Sequence, residues 1–115
     1  MATGTAPVLE AVTEINAVSL ARTELDSVTL LLVRMAALVA VDAPAASYLM
    51  HIGPAVESGV TVEQVQDILV AVAPIVGAPR VFSAALKITE ALGFVIAVAE
   101  AEAEAAEVDA SASNA

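Results

Sequence analysis

Cysteine is absent from the 115 residues, and that absence removes disulfides, thiolate zinc sites and redox-active thiols together. Histidine is nearly absent: His51 is the only one. A zinc site built from several His or Cys ligands is therefore excluded within one chain. Carboxylates alone remain as metal ligands, but no ligand run of the EF-hand type occurs, and no cofactor is expected. Basic residues are scarce as well, four Lys and Arg against fourteen Asp and Glu, for a net charge of −10. Nucleic-acid binding needs a Lys/Arg face to displace counterions, and Arg22, Arg34, Arg80 and Lys87 cannot build one against that background. Anionic membrane surfaces are disfavoured for the same reason, and the acidity reads as a solubility device. There is no phosphate loop, dinucleotide fingerprint, nucleophile elbow or zincin motif.

Long apolar runs are also missing. A spanning helix needs roughly 18 or more consecutive apolar residues. The run Met35–Val41 is bracketed by Arg34 and Asp42, Ile68–Pro79 contains Pro74, Gly77 and Pro79, and Ala91–Ala99 ends at Glu100. The opening stretch MATGTAPVLEAV has no basic segment ahead of an apolar core. The expectation is a cytoplasmic protein with neither membrane nor nucleic-acid partner.

What is abundant is small aliphatic side chain. Hydrophobic residues make up 59% of the chain and mean hydropathy is +0.86, against about 45–50% apolar in ordinary soluble domains. One domain of this length has too much surface for its volume to hide that surplus alone. The excess is expected between identical subunits, in a homo-oligomer.

The pattern is helical throughout. Val8, Val12, Ile15 and Val18 mark a first helix from Pro7 to about Arg22. A second runs from Asp26, with Asp26 or Ser27 as cap, to Val41; it is apolar nearly all round and is expected to be deeply buried. Pro44 opens a third, with Asp42 as its cap, and Gly59 stops it. Thr61 followed by Gln64 matches a capping box for a fourth. Pro74 should kink or end that helix, and Gly77-Ala78-Pro79 should turn the chain. A fifth starts at Pro79; Gly93 interrupts it, and Phe94 to about Ala106 forms a sixth. From Glu100 the tail is Ala- and Glu-rich. Repelling acids at i,i+4 and at a helix C-terminus predict fraying there, and disorder after Asp109. The segments are therefore 1–24 (N-terminal helix), 25–99 (helical domain) and 100–115 (acidic tail).

Residues 25–93 carry a resemblance. HIGPAVESGVTVEQVQDIL resembles the His-x-x-x-Ala-x-x-x-Gly-Val-Thr-x-Glu-Glu-Ile pattern of the carboxymuconolactone decarboxylase and alkylhydroperoxidase D-like family, matching at His51, Ala55, Gly59, Val60, Thr61 and Glu63. VGAPR is similar to its Gly-x-Pro turn. The resemblance implies an all-α, alkylhydroperoxidase D-like bundle of about five to six helices, assembled as a trimer or hexamer, with a small molecule as its ligand.

Departures from the family pattern decide between its branches. The peroxidase branch has a Cys-x-x-Cys-x-x-x-His motif, and counting back from His51 puts its thiols at Pro44 and Ser47. Its upstream glutamate falls near Leu32. Neither proline nor serine cycles with peroxide, so thiol peroxidase activity is rejected. Decarboxylase-type chemistry without a cofactor needs a cationic clamp and an acid to protonate carbon. On the resemblance, His51 is the acid/base, flanked at i−3 and i−4 by Tyr48 and Ser47. Arg34, isolated in an apolar helix, is the first candidate clamp and Arg80 the second.

Each has a structural alternative. His51 and Tyr48 pack in the bundle, Ser47 is an ordinary helix residue, and Arg34 pairs with Asp42, Glu24 or a neighbour's acid. Two readings follow. One is a cofactor-independent lyase or isomerase acting on a small carboxylated or carbonyl compound. The other is a non-catalytic helical oligomer that binds a small ligand or builds an assembly. A pocket holding His51 and Arg34 together favours the first, and His51 packed away from any cavity favours the second.

Overall fold

Aspartate at position 26 begins the ordered bundle. Its carboxylate accepts from the Thr29 amide at 2.7 Å, satisfying one of the orphan donors at a helix start; the Thr29 side chain first, and then this amide, hold the Asp26 carboxyl below its usual range. The computed structural model describes residues 6–113 and consists there of α1 (Ala6–Arg22), α2 (Ser27–Ala40), α3 (Ala45–Glu57), α4 (Val62–Val76) and α5 (Ala78–Ser113). Residues 1–5, the start of the predicted N-terminal helix, lie outside the described region, as do 114 and 115. The all-α expectation holds.

Three helices supply the core through residues spaced by one or two turns. These are Leu31, Met35 and Val39 on α2, Tyr48, Ile52 and Ala55 on α3, and Ala84, Ile88 and Ala91 on α5. The most extensive pairing is α3 with α5, followed by α2 with α4. Alanines on both α3 and α5 let their backbones approach. α4 has no fully buried residue, but Val65, Leu69, Val72 and Val76 pack on the core from the side. Its start is the predicted capping box: the Thr61 hydroxyl accepts from Gln64 N at 3.1 Å, and the Gln64 side chain accepts from Thr61 N at 2.9 Å. Gly59 has φ of +88°, a left-handed stop for α3 that a side chain would strain.

Several expectations are corrected. The five helices among the described residues fall within the five to six expected, but the break at Gly93 does not occur: Gly93 lies inside an unbroken 36-residue α5. A helical glycine costs about 1 kcal/mol relative to alanine, and the packing of Ile88, Ala91, Leu92 and Val95 on the core outweighs that. Pro74 also sits inside its helix, which continues to Val76. The missing amide costs one bond close to a terminus where few remain. The fraying expected from Glu100 and the disorder expected after Asp109 give way to helix through Ser113. Alanine propensity there outweighs i,i+4 repulsions of only about 0.2–0.5 kcal/mol each. Nor is α2 buried all round: Val33 and Ala37 are exposed.

The joining of the last two segments has a further consequence. Among the described residues, one helix, α5, is long and apolar enough to cross a membrane by length and composition, which none of the separate runs is. Its Ala84–Ile88–Ala91 face, however, forms part of the bundle core.

α1 stands apart. It buries no residue and takes part in none of the close helix pairings. The radius of gyration is 17.4 Å, against about 13 Å for a compact domain of this length.

Candidate functional site

α3 carries three of the five candidate residues on adjacent turns. His51 is half-buried, and its Nδ1 lies 2.8 Å from the Ser47 carbonyl oxygen, one turn back. A carbonyl only accepts, so Nδ1 is the donor of this contact, an arrangement that in the neutral ring puts the lone pair on Nε2. Ser47 therefore orients the imidazole through its backbone, a contact any residue at that position supplies. Tyr48 is completely buried, and its hydroxyl has no hydrogen-bond partner. Burial raises the Tyr48 pKa, and the charge of Asp42 adds to the rise.

The cationic candidates are engaged elsewhere. Arg34 donates from Nη1 to Asn16 Oδ1 at 2.5 Å and from Nη2 to Ser19 Oγ at 2.9 Å. Its partners are neutral groups of α1, not the acids considered from sequence. Arg80 donates from Nη1 to the Ala40 carbonyl at 2.8 Å, satisfying one of the free acceptors at the C-terminus of α2. The structure therefore joins Ser47 to His51, leaves Tyr48 without a polar contact, and places Arg34 and Arg80 at two separate structural ties.

Sequence reasoning missed the best-connected polar cluster. Asp42 does not cap α3; Pro44 takes the N-cap position with no side-chain bond. Asp42 instead adopts a left-handed φ of 50°, which Asp tolerates better than most residues. Its Oδ1 accepts from Ser83 Oγ at 2.8 Å and from Lys87 Nζ at 3.2 Å, and Lys87 also donates to the Ala43 carbonyl at 2.8 Å. The Ser83 hydrogen bond first, then the Lys87 contact, lowers the Asp42 pKa. The available signal was Ser83 and Lys87 at i,i+4, on one face of the helix. This cluster bolts the α2–α3 connection to α5.

Three cavities stand out. A cleft of about 60 Å³ between α3, α4 and α5 is lined by Ile52, Ala55, Val60, Val65, Ile88, Leu92 and neighbouring residues, all apolar except Thr61. A groove of about 180 Å³ lies between α3 and α5 beside Lys87, Glu90 and Phe94. A shallow surface groove of about 320 Å³ runs along α2 and α4 past Leu32, Gln64 and Asp67. Small-molecule sites are concave and span roughly 300–1,000 Å³, so the cleft of about 60 Å³ accepts a side chain or an aliphatic tip, not a whole ligand. None of the three is lined by Ser47, Tyr48, His51, Arg34 or Arg80. Among the described residues no group of three His, Asp or Glu side chains is placed to hold a metal ion.

The model of one protein family, described as the carboxymuconolactone decarboxylase family, matches residues 6–91. No curated protein and no solved structure matches the chain.

Proposed function

This chain belongs to the carboxymuconolactone decarboxylase family, and from that premise we propose that it is a non-redox, cytoplasmic member that works as a self-associated helical assembly, a trimer or hexamer, with any small-ligand site completed between copies. The observation that carries this is surface area. The chain exposes 7935 Å², whereas a compact monomer of its mass exposes about 5,800 Å². The surplus, about 2,100 Å², is of the size each subunit of an obligate oligomer buries. Exposed Val, Leu, Ile, Met and Phe side chains occur on every helix. Peroxide reduction by a thiol of this chain is excluded, since it has none. Native mass spectrometry at micromolar concentration tests the reading: a trimer or hexamer is expected, and a stable monomer overturns it.

One observation favours a second reading, a cofactor-independent lyase or isomerase acting on a small carboxylated or carbonyl compound. The Nδ1 contact to Ser47 holds His51 in a single tautomer with Nε2 available as a base, as acid/base work requires. Soaking crystals with small carboxylates tests it. A molecule within hydrogen-bond distance of Nε2, and a turnover that His51→Gln abolishes, are the results expected of an enzyme. Turnover unchanged in His51→Gln rules the histidine out.

A further inference from the structure

We propose that α1 is an exchanged arm, docking along the outer stripe of α5 in a second copy of this chain; the inference rests on the assembly reading above and assigns the contact. A helix of 17 residues is only slightly longer than the ~12–15 residues below which even alanine-rich helices are marginal in water. α1 is further weakened by Val8, Val12, Thr13, Ile15 and Val18, whose branched side chains lose rotamer freedom in a helix. Such a helix persists by packing, yet its own chain offers it almost none. Val8, Val12, Ile15 and Val18 are each more than half exposed, and the described polar ties to the bundle are the two Arg34 hydrogen bonds to Asn16 and Ser19. Those bonds hold the C-terminal half of α1 and leave its N-terminal half uncovered.

The receiving surface is on the same molecule. Phe82, Leu86, Thr89, Gly93 and Ile96 recur every three or four residues along one face of α5, and all five are exposed. Phe82 and Leu86 are each 69% exposed. A side-chain carbon built at Gly93 meets nothing within 4 Å, so the stripe has a shallow saddle where another backbone can approach. It carries no charge until Glu100. From Phe82 to Ile96 it spans about 21 Å, and Val8 to Val18 spans about 15 Å, at 1.5 Å per residue. Glu10 lies opposite Val8, Val12 and Ile15 on α1, and Glu14, one turn before Val18, sits at the edge of the face, so Val8, Val12 and Ile15 meet the stripe without burying a carboxylate. In a chain of net charge −10 that condition is restrictive. An exchange closed by symmetry covers both unpartnered faces in every copy at once, and it uses the surplus area that a compact monomer lacks.

The absence of cysteine makes the test clean. A tagged V12C chain and an untagged L86C chain are co-expressed and oxidised. Both positions are exposed, so folding is expected to survive and is checked by circular dichroism. A V12C–L86C disulfide between the two chains, at unchanged native mass, is the expected result. Disulfides only between like chains, or closure within one chain of the V12C/L86C double variant, overturn the proposal. An oligomer with no cross-link overturns the arm and leaves the assembly reading standing; a monomer sinks both. Hydrogen exchange on the unmodified protein gives an independent readout. Protection of the 6–22 amides that is lost when dilution dissociates the oligomer is expected. Free exchange of those amides in the intact oligomer overturns the arm.

Discussion

Tyr48 is the residue whose role the structure changes most. Its ring fills the centre of the bundle, while its hydroxyl is buried without a partner, a state that costs roughly 1–3 kcal/mol. Tyr48→Phe keeps the ring and removes that cost, so the urea midpoint should rise, by about 1 kcal/mol of stability. A fall would show that the hydroxyl does have a partner. Asp42 makes a different kind of prediction. Its pKa is lower in the folded chain, first through Ser83 and then through Lys87, than its ordinary value of 3.8. Its contribution to stability is therefore complete above pH 4 or so and disappears as pH falls through the lowered folded value. Asp42→Asn should destabilise at neutral pH, and the gap between wild type and variant should close on acidification. A gap constant from pH 7 to pH 2.5 would show that the carboxylate charge contributes nothing.

Among the helices, α4 shows most directly how local signals translate into energy. Its capping box satisfies two amides reciprocally, and Thr61→Ala should cost about 1 kcal/mol, read as a lower urea midpoint with unchanged slope. Pro74 acts in the opposite direction. It is exposed, lies inside the helix and leaves the Val70 carbonyl without its intrahelical donor. Pro74→Ala restores that bond with no packing to lose and should stabilise by roughly 1–3 kcal/mol. No gain would mean that the proline's restriction of the unfolded chain balances the lost bond. The same contest between local penalty and tertiary gain accounts for α5, where Gly93 and a run of acids fail to end a helix whose core face extends to Ala91.

At the scale of the molecule the decisive quantity is exposed apolar surface. If copies bury it between them, unfolding is coupled to dissociation, and the melting temperature rises with protein concentration. Scanning calorimetry over a hundredfold range should show a shift of several degrees; a midpoint independent of concentration would indicate a self-sufficient monomer. The cleft of about 60 Å³ is too small for a ligand of ordinary size, and on the proposed assembly the walls of a larger site would come from more than one chain.

Sequence alone determined the helical class, the start of α2 at Asp26, the box at Thr61 and Gln64, the stop at Gly59 and the exclusion of thiol chemistry. These depend on interactions within a few residues or on composition, and both are readable along a chain. It also carried the family pattern around His51. Only the tertiary structure decided that Arg34 ties down α1, that Arg80 closes the end of α2, that Asp42 accepts from Ser83 and Lys87, and that no described cavity gathers the candidate residues. Those outcomes join residues 15 to 45 positions apart, and a charged side chain commits to a partner only once folding has brought one within hydrogen-bond reach.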